Sequence, residues 1–182
     1  MKGADHLISV AHGLREQGID FHLNIYGTGE MEEKIQMDIQ NLQLNNHVTM
    51  HGSVDFDSHL IPEIKSSVDL YVMLHRQSDP SCTYLETLAC GIPIVGYDNK
   101  ALTGILKRAD VGFSVPMDDI KGVISTIKRL SSNRQMLNMQ SRSAAIFAST
   151  HSFEDTFNAR VQHLQSVLKA HVATQPYINS EN

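Results

Sequence analysis

Cysteine occurs only twice in this 182-residue chain, at Cys82 and Cys90, and no apolar run approaches the length of a membrane span. Two cysteines eight residues apart, both on one expected helix, make neither a disulfide framework nor a thiolate metal site, and they point to a reducing compartment. Basic residues are also few: Lys and Arg number 15 against 20 Asp and Glu, for a formal net charge of −5. That balance argues against a nucleic-acid surface, where clustered positive charge is needed. The 10 histidines are scattered without ligand spacing, so no metal is assigned. Internal repeats and low-complexity segments are absent. The opening MKGADHLIS lacks the apolar core of a signal peptide. A cytoplasmic location is therefore expected, with any membrane association peripheral, at the inner face.

What is present suits one globular domain. With 41% apolar and 19% charged residues, a chain of this length buries roughly 70% of its unfolded surface. Apolar stretches suited to buried strands occur at Phe21–Tyr26, Val48–His51, Asp69–Leu74, Ile92–Tyr97 and Gly112–Val115. Helical patterns lie between them: the stripe Leu7, Val10, Ala11, Leu14; the segment Met31–Leu42; and the stripe Ile120, Val123, Ile124, Ile127. This alternation predicts an α/β fold, a doubly wound parallel sheet covered on both faces. From about Ser131 to Ala170 two terminal helices are expected, the second opening near Ser152 with Glu154 and Asp155 in its first turn. Residues 1–170 are expected to form the domain and residues 171–182 a disordered tail.

The segment Ser78–Asp98, SDPSCTYLETLACGIPIVGYD, is the most informative. Asp79 before Pro80 is a helix-start signal, so a helix is predicted from near Pro80. Cys82, Leu85, Leu88 and Ala89 give it an apolar face, and Gly91 and Pro93 stop it. The N–H groups at Ser81, Cys82 and Thr83, at the positive end of that helix, suit a phosphate. Glu86, about two turns further in, is placed to reach a group attached to that phosphate.

In doubly wound sheets ligands bind at the carboxyl ends of the strands. Three loops qualify: Gly27-Thr28-Gly29, Gly52-Ser53-Val54-Asp55, and Arg76 to Cys82. Gly27 and Gly29 read first as turn residues that let the chain leave its strand. His75 and Arg76 stand at the mouth of the expected site, within reach of a phosphate or sugar.

The strings KGADHLI, LNIYGTGEMEEKI, NNHVTMHGSV, SSVDLYVMLHR and YLETLACGIPIVGYD, in that order and at consistent spacing, resemble the carboxyl-terminal domain of retaining GT-B fold glycosyltransferases, glycosyltransferase family 4. The likeness runs from Lys2 to Leu168. It implies a Rossmann-like domain that holds a nucleotide-diphosphate sugar as donor substrate, with no cofactor. By motif, Glu86 matches the second acid of an E-x(7)-E signature, which hydrogen-bonds the donor ribose. Lys2 matches a lysine that neutralises the diphosphate, Ser81 to Thr83 match the backbone cradle of the distal phosphate, and Val54 falls at the base. Arg76, Gly27 and Gly29 complete the implied donor-binding set.

Departures from the pattern are specific. Where the first acid of the signature is due stands Ser78, and Asp79 follows one place later. Asp79 is the catalytic candidate if it touches the transferred sugar in place of that acid; its other reading is a helix cap. Pro80 removes one N–H from the expected cradle. In the family a central strand precedes the Lys-Gly element, whereas here Lys2 follows Met1, so the sheet is expected to lack its first strand and the chain its amino-terminal acceptor domain. The implied function is donor binding for a hexosyltransferase in polysaccharide or glycolipid synthesis. Its implied partners are a nucleotide sugar, a sugar or lipid-linked acceptor, and an acceptor domain in a longer chain or a separate polypeptide. A non-catalytic nucleotide or sugar-nucleotide binding module, and a sugar-nucleotide epimerase-like domain, are the alternatives.

Overall fold

The structure, a computed structural model, describes residues 3–78 and 81–174, with side chains as far as residue 171. Lys2, Asp79 and Pro80 lie outside the described residues. The chain divides into two compact units, the first running to Ala148 and the second beginning at Ser149.

In the first unit strand and helix alternate: α1 (Ala4–Glu16), β1 (Leu23–Tyr26), α2 (Glu32–Asn41), β2 (Val48–Gly52), α3 (Ile61–Ser67), β3 (Tyr71–Met73), α4 (Thr83–Ala89), β4 (Ile94–Tyr97), α5 (Lys100–Leu106), β5 (Gly112–Val115) and α6 (Ile120–Ser131). A π-helical turn at Phe56–Leu60 precedes α3. All recorded strand pairs are parallel, as crossover helices require. The expected α/β parallel architecture is therefore present, but as two sheets: β1-β2, and β3-β4-β5. Among the described residues no ladder joins β1 to β3, the place a central first strand would occupy.

Packing follows the sequence periodicities. On α1, Val10 and Leu14 join Leu74, Val95, Tyr97, Val123 and Ile124 in one core cluster. Ile8 and Ala11 of the same helix join Ile35, Ile39, Leu44 and Val48 in another. One helix thus packs on both sheets. Its close approach to α6 depends on Gly13, where an added Cβ would lie 2.3 Å from Ile124 Cδ1. The other face of the three-stranded sheet is closed by Met73, Tyr84, Leu88, Ile94, Leu102 and Val111, so that sheet is covered on both sides. The two-stranded sheet is not alike on its two faces. Opposite the face that carries Leu23, Ile25 and Val48, His22 bonds Thr49 at 2.8 Å and His51 bonds Asn24 at 2.8 Å, a polar cross-strand ladder.

The helix after β3 departs from the sequence reading. It starts at Thr83 rather than near Pro80, and Cys82, at its N-cap, makes no side-chain capping bond. Ser81 turns the chain instead: its Oγ accepts from the Thr83 N–H at 3.3 Å and donates to Thr83 Oγ1 at 2.9 Å. Glu86 accordingly falls in the first turn, not two turns in. The buried face is Tyr84, Thr87 and Leu88, whereas Cys82, Leu85 and Ala89 of the expected apolar face are exposed. Tyr84 sets this rotation, because its large ring is almost wholly buried in the core beside Met73 and Ile94.

Both expected terminal helices form, α7 at Arg134–Ser149 and α8 at Phe153–Thr174. Gln140 anchors α7 within the first unit: its Nε2 donates to Asp110 Oδ1 at 3.0 Å and to the Gly112 carbonyl at 3.3 Å. Ser152 opens α8, its Oγ accepting from the Asp155 N–H at 3.1 Å and donating to Asp155 Oδ2 at 2.8 Å. Along α8, Phe153, Phe157, Val161, Leu164 and Leu168 are exposed.

Candidate functional site

The carboxyl ends of the parallel strands carry the loops that sequence reasoning singled out. Gly27 leaves β1 with φ of 108°, a backbone angle that favours glycine, and its N–H donates to the Gly52 carbonyl at the end of β2 at 2.6 Å. Val54 is half-buried beyond β2. Asp55, beside it, caps the π-helical turn by accepting from the Ser58 N–H at 2.8 Å. Bonds from Ser58 hold the Asp55 carboxyl below its ordinary range.

Arg76, in the loop after β3, is the centre of a charged network. Its Nε donates to Asp118 Oδ1 at 2.5 Å, and its two terminal nitrogens reach the Asp5 carboxylate at 3.3 and 3.2 Å. Nη2 also lies 2.6 Å from His6 Nε2. A guanidinium can only donate, so the imidazole accepts from Arg76, whose Nη2 also stands 3.2 Å from His6 Nδ1. That Nδ1 stands 2.6 Å from the Tyr97 hydroxyl at the end of β4. Four elements, α1, the β3 loop, β4 and the β5 loop, are tied by these contacts. The electrostatics follow: hydrogen bonding to Arg76, above all, holds the Asp5 carboxyl below its ordinary range. The bonds to Asp118 and Asp5 push Arg76 up. Burial, ahead of the nearby Asp118 charge, pushes the Tyr97 phenol up to about 12. Arg76 was expected to meet a donor; in this structure both carboxylates already hold it, and its side chain is 23% exposed.

Asn99, which the sequence reading passed over, organises the neighbouring loop. It is 3% exposed. Its Nδ2 donates to the His75 carbonyl and to the Tyr84 hydroxyl, each at 3.1 Å, while its Oδ1 accepts from the Leu102 N–H at 2.9 Å and so caps α5. The available signal was an Asn two places after the strand Ile94–Tyr97 and directly before KALTGIL, a cap position. Ser78, where the first acid was due, accepts from the Lys100 N–H at 3.3 Å at the start of the same helix.

Of the expected donor set, Gly27, Gly29 and Thr83 line one cleft of about 1080 Å³, together with His75 and the facing edges of β1 and β3. Arg76, Glu86, Val54, Ser81 and Cys82 are not among its lining residues. Glu86 is exposed on α4. Cys82 and Cys90 are both free thiols, and burial pushes the Cys90 thiol up. Among the described residues no group of three or more His, Cys, Asp or Glu is arranged to hold a metal ion, and no helix is long and apolar enough to cross a membrane.

The family model described as glycosyl transferases group 1 matches residues 1–146. This chain belongs to that family. A curated relative, the putative colanic acid biosynthesis glycosyltransferase WcaL of Escherichia coli (strain K12), is 24% identical over 183 residues, covering 93% of this chain and 42% of the relative. The chain thus spans well under half the length of that protein. Among solved structures, the pneumococcal O-GlcNAc transferase GtfA in complex with UDP and GlcNAc superposes with a TM-score of 0.75 at 16% identity, covering 92% of this chain and 33% of the other. Anabaena HepE in complex with UDP-glucose superposes with a TM-score of 0.73 at 20% identity, covering 91% and 45%. These neighbours share the Rossmann-like GT-B fold of the group 1 members.

Proposed function

We propose that this chain is the nucleotide-sugar donor-binding domain of a retaining glycosyltransferase of family 4, acting in polysaccharide or glycolipid synthesis. The observation that carries this reading is the group 1 family match across residues 1–146, the stretch that holds every rim loop described above. UDP is the first nucleotide to test, because the GtfA and HepE structures are complexes with UDP or UDP-glucose.

In this reading Glu86 accepts hydrogen bonds from the donor ribose, and Val54 flanks the base. Backbone N–H groups around Ser81, Cys82 and Thr83 cradle the distal phosphate, and Lys2 neutralises the diphosphate. Gly27 and Gly29 let the chain pass close to the donor, and Asp79 meets the transferred sugar. Arg76, at the mouth of the site, meets a phosphate or sugar of the donor from the loop that its carboxylate partners hold. Leaving-group stabilisation by cations and oriented dipoles is the chemistry such a platform supplies, since negative charge develops on the departing diphosphate. Transfer itself requires an amino-terminal acceptor domain facing this platform. Calorimetric titration of the chain with UDP, UDP-glucose, UDP-N-acetylglucosamine, GDP-mannose and ATP tests the reading: saturable binding of a nucleotide sugar is expected, and no binding across the panel overturns it.

Ser78 favours a second reading, a binding module without transfer activity. The signature acid due at that position is replaced by a hydroxyl engaged at the start of α5. Donor binding without turnover, once the chain is joined to an acceptor domain, is the outcome that selects this reading.

A further inference from the structure

Every polar atom of the Asn99 carboxamide is engaged, although the residue is only 3% exposed. Nδ2 donates to the His75 carbonyl and to the Tyr84 hydroxyl, each at 3.1 Å, while Oδ1 accepts from the Leu102 N–H at 2.9 Å and lies 3.3 Å from the same hydroxyl. Capping α5 needs only the oxygen, which Asp, Ser or Thr also supplies. Asn brings two N–H donors as well, and burying them costs free energy unless both are bonded. Here both are bonded, and their acceptors belong to the loop after β3 and to the first turn of α4.

Those acceptors flank the groups assigned to the donor. His75 lines the cleft of about 1080 Å³, and so does Thr83, the neighbour of Tyr84. Arg76 follows His75 in the loop, and Glu86 comes two residues after Tyr84 on α4. Tyr84 is 2% exposed and packed with Met73, Leu88 and Ile94, so its hydroxyl moves only with α4 itself. Burial pushes the phenol of Tyr71, on β3, up to about 12, and the neighbouring Tyr84 and Glu86 add to that push, so the first turn of α4 stands against the strand from which the His75 loop departs. Asn99 and Tyr84 are not among the residues lining the cleft. They act on a ligand only through His75, Thr83 and the groups beside them.

We propose that Asn99 is a positioning residue for the donor, its one carboxamide holding the His75 end of the rim loop against the first turn of α4. The tie sets the spacing between Arg76 on one side and Thr83 and Glu86 on the other. This inference rests on the donor-binding reading above, in which Arg76 meets a phosphate or sugar, Thr83 contributes to the phosphate cradle and Glu86 meets the ribose. A nucleoside engages the α4 side and not the Arg76 loop, whereas a nucleoside diphosphate spans both. Preorganised spacing therefore favours the diphosphate over the nucleoside, and loosening the tie removes that advantage while leaving nucleoside binding in place.

The test titrates the full 182-residue chain by NMR with the nucleoside and the nucleoside diphosphate of the base that the calorimetric panel selects, uridine and UDP first. Wild type, Asn99→Asp, Tyr84→Phe and the double variant are compared. Asn99→Asp keeps the capping oxygen and gives up both donors. Tyr84→Phe keeps the buried ring and gives up the hydroxyl, and it carries the test by itself should the aspartate variant not fold. Thermal melts show which variants are folded at the titration temperature. Each folded single variant is expected to lower the diphosphate-to-nucleoside affinity ratio by about fivefold or more and to leave nucleoside affinity within about twofold. The double variant is expected to lose no more than the larger single loss, because either break frees the loop from α4. Melting points that fall while the ratio stays unchanged overturn the proposal and leave Asn99 a purely structural cap. Additive losses in the double variant overturn it too. Absence of wild-type binding across the whole panel is a separate outcome, which removes the donor reading and this proposal with it.

Discussion

Arg76 Nε donates to Asp118 Oδ1 at 2.5 Å, joining residues that lie 42 apart in the chain and locking the loop after β3 to the loop after β5. Asp118 holds φ of 62°, in the left-handed region that few non-glycine residues adopt. Lysine cannot reproduce the forked contacts of a guanidinium with Asp118, Asp5 and His6 at once. Arg76→Lys and Asp118→Asn are each expected to lower the urea midpoint, and the double variant to lose less than the sum. Strict additivity in that cycle would mean that the pair contributes nothing beyond its separate residues.

Acid should dismantle the same network. The Asp5 carboxyl lies below its ordinary value of 3.8 in the folded chain, chiefly through hydrogen bonding to Arg76. A depressed folded-state value contributes stability that is complete above the unfolded value and is lost as pH falls through the folded one. Thermal midpoints followed from about pH 6 to about pH 2 should therefore fall more steeply in the wild type than in Asp5→Asn. Parallel curves would remove Asp5 from the account of acid stability.

Glu86 is exposed, so its replacement should leave the fold intact while weakening the donor site. Glu86→Ala is expected to reduce affinity for UDP by about 1.5–3 kcal/mol, the range of charge-assisted hydrogen bonds. Calorimetric titration reads the change, with circular dichroism to verify the fold. Equal affinity would detach Glu86 from the ribose.

Asn99 is buried and bonded on both sides of its amide. Asn99→Ala removes the cap of α5 and leaves the His75 carbonyl and the Tyr84 hydroxyl without its donors, at an expected cost of about 2–4 kcal/mol in urea unfolding. Asn99→Asp keeps the capping oxygen but not the amide donors, so it should fall between alanine and wild type. An aspartate variant as unstable as the alanine one would show that the cap carries none of the effect.

Two helical glycines should respond oppositely to alanine. At Gly104, on the exposed side of α5, an added Cβ meets nothing within 4 Å, and Gly104→Ala should stabilise by about 0.5–1 kcal/mol through reduced unfolded-state freedom. At Gly13 the Cβ would come within 2.3 Å of Ile124 Cδ1. Overpacking in a core, typically about 1–3 kcal/mol, is expected to outweigh the helix gain there, because the Ile124 side chain that must turn aside is itself buried. Stabilisation at both positions would mean that α6 yields freely to α1.

Strands were the most legible part of the fold. Gly112–Val115 coincides with its observed bounds, and the others differ only at their ends, because β3 and β4 read as near-continuous apolar runs while β1 and β2 alternate apolar with polar residues. Short helices were less visible. Pro62 reads as a breaker, yet it occupies the first turn of α3, where a missing N–H costs nothing. In α5, Gly104 interrupts the pattern within a helix held by the Asn99 cap. The start of α4 was misjudged because Ser81 and Thr83 make a local side-chain turn that competes with the Asp-Pro signal. For the candidate site, Glu86 and the glycine loops followed from motif and strand ends. Arg76's partners did not: Asp5 lies 71 residues away, and no local pattern links them.

α1 carries a mechanical role that follows from its two packed stripes. Among the described residues no backbone hydrogen bond crosses from β1 to β3, and side chains on this helix pack toward both sheets, Ile8 and Ala11 toward one and Val10 and Leu14 toward the other, with Phe21 against both clusters as well. Asp5 and His6, on the first turn of that thirteen-residue helix, grip Arg76, so the helix that spans both sheets is also fastened to the rim loop after β3.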